Sequence, residues 1–277
     1  PGSLVLVATP IGNLADLTPR AAAELEAADV VACEDTRRTG KLLELAGLEA
    51  RGLLAVNDDN FVRRGPEILD RLAKGERVAV VTDAGTPGIS DPGERLVRAA
   101  VDRGYPVEVV PGPSAVVAAL VVSGLPTNRF VFEGFLPRKG AARRERLSSL
   151  ASERRTIVLY EAPHRLERTL VDLASALGSS RRVALCRELT KLHEEVWRGS
   201  LADAVEQVRT VAPRGEYVVV VEGGAPPLVS DEQLVSALAG ERSAGRSTRD
   251  AVTAVAERFS VPRRRVYELA IEQDPLP

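Results

Sequence analysis

The sequence predicts an α/β protein made of two α/β domains and a small helical extension. Three observations carry this expectation. Short apolar runs alternate with helical patterns through the first half. Strand-like runs crowd together in the second half, and past residue 230 only helical cadences remain.

Taken in order, "LVLVA" (4–8) reads as a strand buried on both faces. "TPRAAAELEAA" (18–28) is a helix, with Thr18 as N-cap and Pro19 at its first position. "VVAC" (30–33) is the second strand, and a helix around "RTGKLLELA" exits at Gly47. "LLAV" (53–56), a helix near 62–73 ending at Gly75, and "VAVV" (78–81) continue the series. "GERLVRAAVDRG" is a helix that Asp91 caps and Pro92 opens. "VEVV" (107–110) and the helix "PSAVVAALVVSG" close the first half. Five strands separated by helices predict a mainly parallel sheet covered on both faces.

"GLPTNR" (124–129) reads as a linker. Beyond it, "RFVFEGF", "TIVLY", "RVALC", "EEVWRG" and "EYVVVVEG" are strands, with helices at about 163–177 and 200–211. The short link between "RVALC" and "EEVW" implies an antiparallel pair, hence a mixed sheet. Helices follow at 231–239, 248–259 and 263–271, the last two with a helix-turn-helix rhythm. The expected domains are 1–125, 126–226 and 227–277.

Composition narrows the function. Net charge is −2, so no global basic field calls for nucleic acid, but the distribution is uneven. Residues 24–59 hold nine acidic and four basic side chains, whereas 138–155 hold seven basic and two acidic. Residues 241–265 hold seven basic and three acidic. No apolar stretch reaches the ~20 residues of a membrane span, and "PGSLVLVATP" has neither the basic start nor the apolar length of a secretory signal. Cys33 and Cys186 each end an apolar run and read as buried thiols in a reducing cytosol. No Cys, His or acidic cluster has metal-ligand spacing, so no metal is expected.

The loops at the strand ends carry the chemistry. Ligands of open α/β sheets lie beyond the carboxyl ends of the strands. Thr82 to Gly93, after the fourth strand, is longer than the usual two to six residues and contains Gly85, Gly88 and Gly93 but no Lys or Arg. A polyphosphate cradle carries a Lys, whereas Asp83 here favours an ammonium, a sulfonium or ribose hydroxyls. The first loop, "ATPIGNLADLTPR", has Pro10 and Gly12 and no base before Arg20. "VPGPSA" ends in Ser114 at a helix start, where backbone N–H groups can hold a carboxylate. Three such loops at one sheet edge suit a small zwitterion with a nucleoside, a description that S-adenosylmethionine meets.

"LVLVATPIGNLADLTPRA", "CEDTRRTGKLL", "TDAGTPGISDPG", "VPGPSA", "FEGFLPRKG", "LYEAPHR" and "RELTKLHEEVWRG" together resemble the ribosomal RNA small-subunit methyltransferase I branch of the tetrapyrrole methylases. The resemblance covers about residues 4–223, in order. It implies S-adenosylmethionine-dependent 2′-O-methylation of a cytidine in the decoding centre of 16S ribosomal RNA, within the small ribosomal subunit. It also implies two α/β domains with cofactor in the cleft between them, a homodimer and a cytoplasmic location. By motif position the cofactor contacts would be Pro10, Gly12, Asp83, Gly85, Thr86, Pro87, Ile89, Ser114, Ala115, Phe135, Leu136, Leu185 and Cys186. "VNDDNF" departs from the family's acidic-His-Asn-acidic run: Asp59 stands for the His and Phe61 for the second acid.

Methyl transfer to a ribose oxygen needs alignment and a group that accepts the hydroxyl proton or polarises its oxygen, and Lys191 could serve the second way, by lowering an oxygen's pKa, or hold a phosphate. Glu34 and Lys191 rank first for that role, ahead of Asp35, Asp58, Asp59, Lys139 and His164. The structural alternatives are a helix cap for Asp35, a solvated Glu34, a helix-start His164 and a surface Lys191. Arg138, Lys139, Arg143 and Arg144 read as RNA phosphate contacts, with Arg37 and Lys41 as a second basic cluster; a solvated helix face is the alternative. Two rival functions stay open: a tetrapyrrole C-methyltransferase, and a ribosome-assembly factor that binds RNA without catalysis.

Overall fold

Fully apolar runs alternating with capped helices set the first half of the chain. The computed structural model describes residues 2–91, 93–225 and 229–272. The elements run β1 (Ser3–Val7), α1 (Pro19–Ala27), β2 (Val30–Cys33), α2 (Thr36–Ala46), β3 (Leu53–Ala55) and α3 (Phe61–Ala73). They continue with β4 (Arg77–Val80), α4 (Gly93–Asp102), β5 (Val107–Val110) and α5 (Ala115–Val122). Thr18 accepts the Ala21 N–H, Pro19 opens α1, and Gly47 ends α2 in the left-handed conformation. The five strands are all parallel, in the order β3-β2-β4-β1-β5.

Because β-strand side chains alternate, each face of this sheet has its own core. Leu4, Val30, Val78 and Val80 meet Ile68 and Leu72 of α3 and Leu96 of α4. Val5, Val7, Val31 and Ala79 meet Ala21 and Leu25 of α1 and Leu43 of α2. Each buried Leu or Ile contributes about 1.5–3 kcal/mol over its exposed state.

The second sheet follows in β6 (Phe130–Phe135), α6 (Gly140–Ala151), β7 (Thr156–Glu161), α7 (Pro163–Leu177), β8 (Arg182–Arg187), β9 (Glu195–Ser200), α8 (Leu201–Thr210) and β10 (Tyr217–Val221). Its order is β6-β7-β10-β8-β9, with β6–β7 parallel and the other pairs antiparallel. The sheet is therefore mixed, and β8–β9 form the expected antiparallel pair. One face packs on α6, α7 and α8 through residues such as Leu147, Leu166, Leu170 and Leu201. The other face, with Val158, Ala184 and Val220, packs on Val116, Ala119 and Leu120 of α5. A helix that is apolar all round is usually buried, and α5 here joins the two sheets, leaving Val117 and Val121 exposed.

Helix α6 was not among the expected elements; its arginines hide the apolar stripe of Leu147 and Leu150. Pro92, expected at the start of α4, lies outside the described residues, as does the expected 226–227 boundary. The chain divides into compact units at 1–223 and 224–277, so the expected 125–126 boundary falls between two sheets of one unit. The second unit holds α9 (Asp231–Ser243), α10 (Thr248–Phe259) and α11 (Arg263–Glu272) around Leu234, Leu238, Val252, Val255 and Val266. A capping box of Ser230 and Gln233 starts α9. Arg265 of α11 bonds Asp231 of α9 at 2.6 Å, whereas Arg264 makes an exposed i,i+4 pair with Glu268 at 2.8 Å within α11. Among the described residues, no helix is long and apolar enough to cross a membrane.

Candidate functional site

The loops after β1, β4 and β5 meet at the carboxyl edge of the first sheet. Thr9 and Gly85 exchange backbone hydrogen bonds at 2.9 and 3.1 Å. Thr86 Oγ1 donates to the Pro113 carbonyl at 3.1 Å, tying the β4 loop to the β5 loop. Gly85 has φ +88°, and a Cβ there would sit 3.2 Å from the Ile11 side chain. Asp91 accepts N–H bonds from Gly88 and Gly93 and so pins the far end of the β4 loop.

These loops face a cleft of about 400 Å³ closed from the other side by the second sheet. Of the residues expected to hold cofactor, Asp83, Ile89, Ala115, Phe135 and Cys186 line it. Gly85, Thr86 and the buried Pro87 shape the β4 loop behind it, and Pro10 and Gly12 belong to the β1 loop. Ser114 heads α5 without a capping bond from its side chain. Two residues face elsewhere. The Leu136 and Leu185 side chains belong to the core on the helical face of the second sheet, so neither is a side-chain contact. Their neighbours Phe135 and Cys186 take the cleft side by the two-residue alternation of strands.

Asp83 is the polar centre of the first-sheet wall. Its Oδ2 pairs with Arg38 at 2.9 Å, while its Oδ1 is buried with no hydrogen-bond partner. Burial, and then the charge of Glu34, raise its carboxyl above the ordinary value, with Arg38 opposing. Glu34 itself accepts the Thr82 hydroxyl and the Asp83 N–H, the latter at 3.2 Å. It supports the β4 loop and does not line the cleft. Asp35 caps α2 through the Arg37 N–H, and bonds to the Arg37 side chain hold its carboxyl well below the usual range. That is the structural alternative for Asp35, not the catalytic one. Asp59 and His164 are exposed and outside the cleft, and Asp58 pairs with Arg95 at 3.5 Å. Phe61 carries the Arg95 guanidinium 3.9 Å over its ring.

Lys191 does line the cleft. Its Nζ donates to Glu188 at 3.0 Å and Glu216 at 2.8 Å. Burial pulls its pKa down, but Glu216 and Glu188 more than offset this, so the ammonium is held above the ordinary lysine value. Lys191 is thus a fixed cation and no proton acceptor. Its stem lies against Gly12, where a Cβ would fall 2.2 Å from Cγ; only glycine admits that crossing.

Tyr160 escaped the sequence reading. It lines the cleft, stacks edge-on to Phe132 at 4.9 Å and leans on Phe135 at 5.6 Å. Burial and the nearby Asp91 charge keep its phenol protonated. The signal was its place at the carboxyl end of β7, in "LYEAPHR". Behind it, Glu161 is buried and accepts from Thr169 Oγ1 at 2.5 Å and Arg165 at 3.2 Å.

The expected RNA contacts divide. Arg143 is only 4% exposed, bonded to Asp172 (2.7 Å), the Pro137 carbonyl (3.0 Å) and Thr169 (3.0 Å). It cannot meet RNA from there. Together with Arg165, which holds the Leu136 carbonyl at 2.6 Å, it fixes the loop that presents Phe135. Arg138, Lys139 and Arg144 are exposed and, among the described residues, without a carboxylate partner. Arg37 and Lys41 are exposed but engaged by Asp35 and Glu44. Among the described residues, no group of three or more His, Cys, Asp or Glu is placed to hold a metal.

With this geometry in hand, residues 3–205 match the family described as Tetrapyrrole (Corrin/Porphyrin) Methylases. The chain belongs to that family. A relative from Synechocystis sp., named Ribosomal RNA small subunit methyltransferase I, is 47% identical over 274 residues, covering 98% of each chain. The crystal structure of uroporphyrin-III-C-methyltransferase from Thermus thermophilus aligns with TM-score 0.57 and 25% identity, over 79% of this chain and 94% of that one. A second structure of a Thermus thermophilus uroporphyrin-III C-methyltransferase, that one complexed with S-adenosyl homocysteine, aligns with TM-score 0.57 and 21% identity. It covers 80% of this tetrapyrrole methylase and 97% of its own chain, and carries the fold alone.

Proposed function

We propose that this tetrapyrrole methylase transfers a methyl group from S-adenosylmethionine to the 2′-oxygen of a cytidine in the decoding centre of 16S ribosomal RNA. The observation that carries the reading is near-full-length identity of 47% to proteins named for ribosomal RNA small subunit methylation. The same reading has the protein work in the cytoplasm, as a homodimer, on the assembled small subunit.

The cleft residues fit the cofactor. Ile11, Ile89 and Phe135 give apolar walls for a nucleoside, and the orphaned Asp83 Oδ1 is an acceptor for a hydroxyl or ammonium. The walls from the β1, β4 and β5 loops bring no Lys or Arg against a positively charged sulfonium. Bound there, the cofactor supplies an activated methyl group, so the protein's task is alignment. In that arrangement the protein's own part would be to align the 2′-hydroxyl with the methyl group and to offer a cleft carboxylate for its proton. Lys191 holds positive charge at the cleft, and Arg138, Lys139 and Arg144 meet RNA phosphates.

Incubation with tritiated S-adenosylmethionine and undermethylated 30S subunits tests the reading, with label expected in 16S RNA on a ribose. Label on a base atom would reject the 2′-O chemistry. Transfer to a tetrapyrrole but not to RNA would favour the small-molecule methylase, and no transfer despite cofactor binding the assembly factor.

A further inference from the structure

A second cavity lies around the end of the second sheet from the cleft, on its helical face. Its volume is about 450 Å³, within the ~300–1,000 Å³ of small-molecule sites. Leu185 and Val208 give it an apolar floor, and Trp197 and Tyr217 bring two aromatic rings. A Cβ on Gly199 would lie 2.5 Å from the Trp197 ring, so the glycine is what lets the indole lie along the edge strand. Arg187 is held by Glu195 at 3.2 Å and by the Arg214 carbonyl at 2.8 Å. In contrast, the side chains of Gln207 and Arg214, also in the lining, have no partner among the described residues. Tyr217 lines both this cavity and the cleft; the ends of β8 and β10 separate the two.

We propose that this cavity is a nucleobase site, receiving a base of the RNA strand whose ribose enters the cleft. The proposal rests on the reading above that the acceptor is RNA. Unstacked bases are recognised on aromatic faces and by hydrogen bonds to their edges. Two rings over an apolar floor supply the first. The Gln207 amide, a donor and an acceptor on one group, and the Arg214 guanidinium supply the second. A bare phosphate would use neither the rings nor the floor. The shared Tyr217 allows one strand to engage both cavities at once. The site then selects the nucleotide by holding its neighbour.

Trp197 is the chain's single tryptophan, so its emission reports on this cavity alone. The full chain is titrated with a mixed-sequence single-stranded RNA octamer at low salt, and binding is followed separately by anisotropy of a labelled octamer. Saturable change in Trp197 emission is expected at the anisotropy midpoint, with S-adenosylmethionine alone leaving the emission unaltered. Trp197→Ala, and independently the surface double variant Gln207→Ala with Arg214→Ala, weaken octamer binding about tenfold. Trp197→Phe keeps most of it, and cofactor affinity is unchanged in all three. With 30S subunits the double variant raises KM and spares kcat. Octamer binding with silent Trp197 emission and wild-type affinity in the variants would overturn the nucleobase site while leaving RNA methylation standing. Absence of octamer binding by anisotropy would also overturn the nucleobase site, and the 30S labelling experiment decides RNA methylation separately.

Discussion

The two ends of the first sheet treat charge in opposite ways. At the end where the strands begin, Arg77 of β4 donates to both Glu24 and Glu108, and Asp29 takes Arg51 and the Arg77 N–H. Hydrogen bonds from Arg77 hold Glu108 below its ordinary pKa. At the end where the strands finish, Asp83 and Asp91 are half-buried near Glu34, and both are raised. Matched charge holds the sheet together at one end; at the other, Asp91 is spent on the Gly88 and Gly93 N–H groups and Asp83 keeps one oxygen unpaired. The basic segment repeats the contrast, with Arg143 matched and buried and Arg138, Lys139 and Arg144 unmatched and exposed.

The largest effect expected from breaking this contrast comes at Arg143. Arg143→Ala removes a buried guanidinium from Asp172, Thr169 and the Pro137 carbonyl, leaving Asp172 with Arg168 at 4.0 Å, and should cost about 2–3 kcal/mol of unfolding free energy, read by urea denaturation. The salt slope of RNA binding should stay as it is, which separates a structural arginine from a phosphate contact. Arg77→Ala should cost about 1–2 kcal/mol, since the pairs are partly exposed. Glu108 contributes stability above its unfolded value, lost as pH falls through its depressed folded value, so the Arg77→Ala deficit should shrink in acid. Cofactor affinity, at the other end of the sheet, should not change. Replacing Arg138, Lys139 and Arg144 by Ala should leave stability within about 0.5 kcal/mol and lower the log–log salt slope of RNA binding by about 2. An unaltered slope would remove these three from the RNA surface.

The smallest effect has the opposite sign. Asp83 titrates higher in the folded protein than in the unfolded chain, so its ionisation costs stability as pH rises through the folded value. Asp83→Asn should therefore raise the melting temperature at pH 7 by about 1–2 °C. The gain should vanish below about pH 4, where both states hold the proton. Cofactor affinity should fall in the same variant; stabilisation without that loss would break the link between unmatched charge and ligand.

Much of the first sheet was legible because its strands are uninterrupted apolar runs and its helices carry explicit caps, as at Thr18 and Gly47. Helix α6 was not, because Arg143 fills a position where an apolar residue would have marked the core face. At the cleft, motif position points to loops that line or shape it but not to which neighbouring residue faces it. Leu136 and Leu185 are one residue out of phase with Phe135 and Cys186, and one residue on a strand is the difference between cleft and core. Glu34 shows another limit: the sequence places it at the sheet edge, but only the fold reveals that Thr82 and Asp83 already occupy it.

The strand orders have a consequence for how the molecule comes off a ribosome. The first sheet is centred on β4, and its last strand, the edge strand β5, is complete at residue 110. The second closes around β10, which ends only at Val221. Until that strand is synthesised, β7 and β8 each expose a naked edge, the kind that pairs promiscuously with other chains. A nascent chain therefore carries one finished half while the other is still sticky, and the interval between them is the time in which a chaperone has most to protect.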